Sequence, residues 1–304
     1  MSVFTPGLVH TPVTPFTTDL KIDYSRYEQL LEFHLAQGAQ SLAITMHAGE
    51  SVSLTDQEQR AQFAFATKQV NGRVPLLAHV SDSGTRIALE RAQYAESIGM
   101  QAVICTTPYY WTPPAPMILE HFLQVSQAVK LPFFVFYSPD EMGGITLSTD
   151  LILKLVDQRP NFAGMIDASL DWQFMINIIS NVWRKKPEFQ LLAGNEYMVS
   201  AGAIGATSML SGLGAIAPKL IKELYTICRT EKYVQARQAQ ENVAALLFLI
   251  TQYGFGGLKS AMYAMGRDCG IPRPPHDALS PSQHQTLSQS LHALPFMSKE
   301  PQGW

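Results

Sequence analysis

The chain has 304 residues, of which 46% are hydrophobic and 15% charged, and its formal net charge is −3. This composition is that of a globular protein with a large core, and it excludes an intrinsically disordered chain. The small net charge predicts no nucleic-acid footprint and no cationic membrane-binding face, so a small molecule is the expected partner.

The cysteines and the N-terminal residues bear on the cellular compartment of the protein. Cys105, Cys228 and Cys269 are odd in number and far apart, so we expect buried free thiols rather than disulfides or a zinc knuckle. Met1 to Gly7 lacks the basic patch and apolar core of a secretion signal. The longest apolar stretch, Val243 to Ile250, is too short to span a bilayer. We therefore expect a cytoplasmic protein with no membrane partner.

Eight short β-branched or aliphatic segments alternate with longer amphipathic ones, which predicts βα units around a parallel sheet. The predicted strands are Gly7–His10, Ser41–Met46, Pro75–Val80, Ala102–Thr106, Phe133–Tyr137, Phe162–Ile166, Gln190–Ala193 and Ala206–Leu210.

The predicted helices fill the gaps between these strands. They are Tyr24–Gln37, Asp56–Val70, Thr85–Ser97, Pro116–Ala128, Ser148–Asp157, Trp172–Ile179 and Glu196–Ala201. Thr55 and Glu58 form a predicted capping box at one helix start. After Pro218 the chain is expected to be helical to about Ile250, and Leu258–Met265 continues this character.

These elements predict an α/β protein, a (β/α)₈ TIM barrel in residues 1–229 with a C-terminal helical extension in residues 230–304. Barrels of this kind place their catalytic residues at the carboxyl ends of the strands. The segment Gly212 to Ala217 matches a dinucleotide-binding fingerprint, but the residues after it are predicted to be helical, and no βαβ unit is completed. We interpret it as the turn after the eighth strand.

Four motifs in order along the chain indicate a family. They are Thr14-Pro15-Phe16, Gly49-Glu50-Ser51, Pro108-Tyr109-Tyr110 and Tyr137-Ser138-Pro139. Together they resemble the dihydrodipicolinate synthase / N-acetylneuraminate lyase family over nearly the whole chain. The resemblance implies a barrel in which a lysine on strand six forms an imine with a 2-oxo acid, usually pyruvate. It also implies a proton-shuttling tyrosine on strand five, which Tyr137 supplies here.

The strand-six motif departs from the family pattern. The family reads roughly Gly-Ile-Lys-Asp, and this chain reads Gly164-Met165-Ile166-Asp167, so the resemblance places Ile166 at the lysine position. An isoleucine has no nucleophile and cannot form an imine. Other lysines lie on predicted helices or at strand starts, among them Lys130, Lys154, Lys219, Lys222 and Lys259.

Two further departures concern the neighbouring loops. His47 stands where the family has a threonine of its proton relay, so we expect a relay of His47, Tyr137 and Tyr110. In the family, the tyrosine matching Tyr110 reaches into the neighbouring subunit, which implies a homo-oligomer, a dimer or a tetramer. Asp140 and Glu141 replace an arginine that binds a substrate carboxylate, which argues against a dicarboxylate substrate.

The predicted substrate-binding positions lie at the ends of strands two, six, seven and eight: Ala48, Ile166, Asn195 and Ser211. We predict no metal and no cofactor. One alternative stays open, an oxygen-rich magnesium site built from Asp167, Asn195 and Glu196 with His47 or Glu50.

The sequence leaves three functions open. The first is a protein without the family's lysine that binds a small 2-oxo or hydroxy acid at the barrel mouth and performs no imine chemistry. The second is a lyase or hydro-lyase that uses His47 and Tyr137 for acid–base chemistry, with or without a divalent metal. The third is a structural or regulatory subunit of a family oligomer.

Overall fold

A closed ring of eight parallel strands organises the chain in a computed structural model that describes residues 4–141 and 143–304. Each strand pairs with its neighbour in sequence, and β1 also pairs with β8 to close the barrel. The strands β1 to β8 are Leu8–His10, Ser41–Ile44, Leu76–His79, Ala102–Cys105, Phe133–Tyr137, Phe162–Asp167, Gln190–Ala193 and Ser208–Ser211. The TIM-barrel prediction is confirmed.

Helices surround the barrel and extend it. The helices α1 to α8 are Tyr24–Ala36, Asp56–Val70, Thr85–Ser97, Ala115–Gln127, Thr149–Gln158, Trp172–Val182, Met198–Ala203 and Pro218–Cys228. The extension holds α9 to α11, which are Tyr233–Thr251, Gly254–Ala264 and Pro281–Ala293. The capping box at the start of α2 is present, with the Thr55 side chain accepting from the Glu58 N–H and the Glu58 side chain accepting from the Thr55 N–H.

The chain is helical from Pro218 to Thr251, as expected, but in two helices. A turn separates α8 from α9, and in it Glu231 takes a left-handed conformation with φ of 58°. The predicted boundary at residue 229 falls in this turn. The apolar core nevertheless continues across it, because Val243 and Leu246 of α9 and Leu287 of α11 belong to the same buried cluster as the barrel helices.

Side chains alternate between the two faces of each strand, as the two-residue period of a β-strand requires. The inward faces supply a separate core that includes Leu77, Ile104, Phe136, Ile166 and Leu192. The outward faces pack against the helices in the larger core. This alternation fixes which residues at the strand ends face the barrel mouth.

Two other predictions concerned the cysteines and membrane-spanning segments. Cys105, Cys228 and Cys269, all within the described residues, are buried free thiols. Among residues 4–141 and 143–304, no single helix is long and apolar enough to cross a membrane, and the pair α9 and α10 meets that test only together, with a bend of 115° between them.

Candidate functional site at the barrel mouth

The loop after β2 is held in an unusual backbone conformation. Thr45 has φ of 56°, which is rare for a β-branched residue, and a short 3₁₀ helix at His47–Gly49 comes after it. Glu50 is also left-handed and is buried. Backbone strain of this kind is found most often at functional sites.

Glu50 fastens this loop to the C-terminal extension. Its Oε1 lies 2.6 Å from the Nζ of Lys259 in a buried ion pair, and its Oε2 accepts a hydrogen bond from the Arg273 N–H at 2.7 Å. Burial lowers the pKa of Lys259, while the Glu50 charge opposes that shift. Both Glu50 oxygens therefore have partners in the extension, which is a structural role.

His47 lies where the β2 loop, the β5 loop and the extension meet. Its Nε2 is 3.4 Å from Oε1 of Glu141, and its ring packs on Phe255 with the centroids 4.6 Å apart. Phe255 packs in turn on His276 at 4.0 Å. Burial lowers the pKa of His47, Glu141 opposes this, and His276 adds to it. A neutral imidazole that can exchange a proton is thus available at the rim.

Tyr137 is the last residue of β5. Its ring packs against Phe174 of α6, at 5.2 Å between centroids, and it belongs to the outer core between the strands and the helices. Burial raises the pKa of its hydroxyl. The inward residue at this level of β5 is Phe136, which pairs in register with Ile166 of β6. Adjacent residues of a strand face opposite sides, so the phenyl ring of Phe136, and not the phenol of Tyr137, faces the barrel interior at this level.

The predicted relay of His47, Tyr137 and Tyr110 stays a prediction. Tyr110 is fully exposed, with φ of 88°, and the Tyr137 ring packs on Phe174 of α6. The sequence motifs located the loops of the barrel mouth, but they did not indicate which of Phe136 and Tyr137 faces the barrel interior.

The remaining predicted site residues lie at the ends of β6, β7 and β8. Ile166 is fully buried on the inner face. The Asn195 Nδ2 donates weakly to the Ala168 carbonyl at 3.4 Å. The Ser211 hydroxyl donates to Glu196 Oε1 at 2.8 Å, and the same oxygen accepts from the Leu213 N–H at 3.1 Å.

The carboxylates of this region have separate partners. Asp167 Oδ1 accepts from the Ser169 N–H and hydroxyl at 2.9 and 2.7 Å, and burial raises the pKa of Asp167 to about 6. Glu196 is occupied by the β8 turn, and burial raises its pKa. In the described parts of the chain, no three histidine, cysteine, aspartate or glutamate side chains converge as metal ligands would. The magnesium interpretation therefore gains no support from the geometry.

The turn after β8 owes its glycine to packing. A Cβ on Gly214 would lie 2.7 Å from atoms of the His10 ring, so only glycine fits there. Ala48 approaches this turn as well, since a Cβ on Gly212 would lie 3.8 Å from the Ala48 Cβ. The glycines thus serve the contact between β8 and β1, in agreement with their interpretation as a turn.

Sequence reasoning missed a polar cluster at the ends of β3 and β4. The Nδ1 of His79 lies 2.8 Å from the Thr45 carbonyl oxygen, and its Nε2 lies 2.7 Å from the Ser81 Oγ. That Oγ accepts a hydrogen bond from the Thr106 N–H at 2.8 Å. Burial lowers the pKa of His79 to about 4. One signal was available in the sequence, because His79 stands two residues after the inward Leu77 at the end of a predicted strand.

Comparisons with known proteins agree over nearly the full length. The model of the dihydrodipicolinate synthetase family matches residues 5–294. A 4-hydroxy-tetrahydrodipicolinate synthase of Methanopyrus kandleri is 28% identical over 292 residues, covering 95% of this chain and 96% of that protein. The Bacillus subtilis enzyme of the same name is 26% identical over 286 residues, covering 93% and 97%.

A solved structure shows the same fold. YagE, an Escherichia coli prophage protein of the dihydrodipicolinic acid synthase family determined in complex with pyruvate, superposes with a TM-score of 0.89. It is 24% identical, and the match covers 96% of this chain and 99% of that one.

Proposed function

This chain belongs to the dihydrodipicolinate synthetase family, and we propose that its barrel mouth binds a small 2-oxo or hydroxy acid without forming an imine. The observation that carries the proposal is Ile166. It lies fully buried on the inner face of β6, between Phe136 of β5 and Leu192 of β7 in the strand register. The resemblance puts the family's lysine at this position, and a hydrocarbon side chain offers no nucleophile.

No other amine takes over this place in the described chain. Lys259 is the buried lysine, and its amine is occupied by Glu50 and by the Ile271 carbonyl, which accepts from Nζ at 3.2 Å. Its ammonium also lies over the Phe16 ring at 4.3 Å. The other lysines are exposed or half-buried. Imine chemistry thus has no candidate residue on the inner face.

The rim favours a ligand with one carboxylate. Asp140 and Glu141 lie in the loop after β5, three and four residues beyond its end, both exposed, and Glu141 faces His47. A second ligand carboxylate placed here would meet like charge, which is destabilising. Pyruvate, the 2-oxo acid in the YagE complex, has a single carboxylate.

Borohydride trapping tests the proposal. The purified protein is incubated with pyruvate and borohydride, its intact mass is measured, and thermal shifts are recorded with pyruvate and related acids. We expect no added mass and a raised melting temperature. A trapped adduct on the wild-type chain would overturn the proposal, and Lys259→Arg would then show whether Lys259 is the amine.

Ile166→Lys is the matched variant. An amine in this apolar layer has a depressed pKa, as imine formation requires, so we expect trapping by pyruvate in the variant alone. If the variant folds, shown by an unchanged circular dichroism spectrum, and traps nothing, Ile166 does not occupy the lysine position.

A second function is favoured by His47. Its half-exposed imidazole faces Glu141 at the rim and could act as an acid or base in a lyase or hydro-lyase reaction. We would assay cleavage of 4-hydroxy-2-oxo acids with and without a chelator. Turnover that is lost in His47→Gln supports this function, and its dependence on the chelator shows whether a metal takes part.

The exposed aromatic residues after β4 support assembly. Tyr110 is fully exposed and Trp111 is 51% exposed, side by side on one loop. Aromatic side chains in such positions are enriched at protein interfaces. We propose a homo-oligomer, to be checked by light scattering. A mass that falls in Tyr110→Ala places this loop in the interface, and a monomeric wild-type protein contradicts the proposal. A family homologue that co-purifies would instead favour the regulatory-subunit interpretation.

A further inference from the structure

The inner faces of β3 and β4 continue beyond the strands as polar side chains. Leu77 and His79 are inward on β3, and Ser81 comes two residues later, after the outward Val80. Ile104 is inward on β4, and Thr106 comes two residues later, after the outward Cys105. Both hydroxyl residues are buried at the mouth.

The protonation state of His79 is set by its partners. A carbonyl oxygen can only accept, so the Nδ1 facing the Thr45 oxygen at 2.8 Å carries the hydrogen. Because burial keeps the ring neutral, Nε2 has a lone pair and accepts the Ser81 O–H at 2.7 Å. A third contact, from the Thr45 hydroxyl to the His79 carbonyl at 3.3 Å, holds the two residues together.

The hydrogen-bonding groups of this cluster are not all paired. Ser81 uses its proton on His79 and one lone pair on the Thr106 N–H, so one acceptor lone pair is left. The Thr106 Oγ1 is buried and has no partner among the described residues, so its proton is free to be donated. Leaving such a buried group unpaired is costly. The site therefore offers one acceptor and one donor side by side.

A hydroxyl group is the ligand that fills both needs. It donates its proton to one neighbour and accepts from another, whereas a keto oxygen only accepts. We propose that Ser81 and Thr106 bind the hydroxyl of a small hydroxy acid, with His79 orienting the Ser81 hydroxyl. This rests on the proposed function, and it selects hydroxy acids over oxo acids as the ligand class.

The neighbours of Ser81 fix the direction of its hydroxyl. Because His79 Nε2 accepts the Ser81 O–H, the remaining Ser81 lone pair is left for a ligand hydroxyl to donate to. Arg91, whose Nη1 donates to the Ser81 carbonyl at 2.7 Å, holds the serine backbone in place. The Phe136 ring lies 6.5 Å from the His79 ring between centroids, so the residues beside this cluster on β5 are apolar.

Paired ligands test this assignment. Calorimetric titration of the full-length protein would compare lactate, both enantiomers, with pyruvate, and 2-hydroxybutyrate with 2-oxobutyrate. We expect the better hydroxy acid of a pair to bind about tenfold more tightly than its oxo counterpart, because the oxo acid leaves the Ser81 lone pair without a donor.

Thr106→Val is the key variant and Thr107→Val its control. The two threonines are adjacent and equally buried, and Thr107 Oγ1 is also without a partner among the described residues, but the alternation of β4 puts Thr107 on the other face of the chain from Thr106. We expect Thr106→Val and Ser81→Ala to reduce the preference to less than about twofold and Thr107→Val to retain it. Thermal unfolding shows that each variant is folded.

The outcomes separate the two claims. Binding of both acids of a pair with equal affinity, or tighter binding of the oxo acid, overturns the assignment and leaves the proposed function standing. Equal effects of the two valine variants also overturn it. If neither kind of acid binds the wild-type protein, the proposed function itself fails.

Discussion

The two walls of the barrel mouth differ in chemistry. On β5 and β6 the inward residues are Phe136 and Ile166, which offer only hydrocarbon. On β3 and β4 the corresponding places hold His79, Ser81 and Thr106, and the Ser81 hydroxyl lies 2.7 Å from His79 Nε2 and accepts from the Thr106 backbone N–H at 2.8 Å. The β5–β6 side is apolar at this level, and polar groups are concentrated on the adjacent β3–β4 side.

This difference also concerns how each wall is stabilised. The apolar wall depends on close packing, in which burying a large side chain stabilises the fold by roughly 1.5–3 kcal/mol. The polar wall depends on each buried donor and acceptor being satisfied, so a single deletion leaves several groups unpaired. The two walls should therefore respond differently to pH and to substitution.

Acid should weaken the polar side most. Burial lowers the pKa of His79 and of His10 to about 4. The unfolded chain binds protons at these imidazoles below about pH 6.5, but the folded chain binds them only near pH 4, so stability falls as the pH falls through this window. Each histidine contributes up to about 3 kcal/mol.

Asp167 acts in the opposite direction. Its pKa is raised to about 6 in the folded chain, so the folded state binds this proton first and gains stability as the pH falls. Urea unfolding at pH 7 and pH 4.5 measures the balance. We expect a net loss at the lower pH, reduced in His79→Gln. An unchanged pH dependence in that variant would mean that His79 is not kept neutral by burial.

Removal of Arg91 should destabilise the polar side of the barrel mouth, and it changes no contact of Phe136 or Ile166. The guanidinium is buried, and it donates to the Ser81 carbonyl at 2.7 Å and to Asp56 at 3.0 Å. Arg91→Met leaves the carbonyl and part of the carboxylate unpaired, so we expect a loss of about 3–5 kcal/mol in the free energy of unfolding. Arg60→Met removes the other, more exposed partner of Asp56, and it should cost less than about 1 kcal/mol.

The strands and loops that surround the site could be predicted from the sequence, but the side chains that face its interior could not. Strand order and the places of the loops could be predicted from the alternation of apolar and helical segments, since a parallel barrel requires that order. Whether Phe136 or Tyr137 faces the barrel interior depends on the position of β5 to within one residue. An apolar segment such as Phe133 to Tyr137 does not reveal this position, because both faces of the strand are buried. The hydrogen bonds of His79 depend on Thr45, 34 positions away, and on its left-handed backbone.

Substituting Phe136 tests the apolar wall directly. Phe136→Tyr adds a hydroxyl to a fully packed layer, and we expect a loss of about 1–3 kcal/mol if no partner is reached. Tyr137→Phe is the matched change on the outer face, where we expect a smaller effect. Chemical unfolding of both variants measures the difference. If Tyr137→Phe proves the more costly, the phenol of Tyr137 has a larger role than its packing on Phe174 indicates.

The smallest expected effect concerns the rim that joins the two walls. Glu141 raises the pKa of His47 against the lowering effect of burial, and the two side chains are 36% and 45% exposed. Glu141→Gln should therefore move the titration of His47 to lower pH, by an amount that solvent screening keeps small. Nuclear magnetic resonance of the imidazole measures this directly, with Asp140→Asn as the control. A shift of the His47 titration to higher pH in Glu141→Gln would show that the Glu141 carboxylate does not face the His47 ring in solution. The loops after β2 and β5 would then not be joined by this contact.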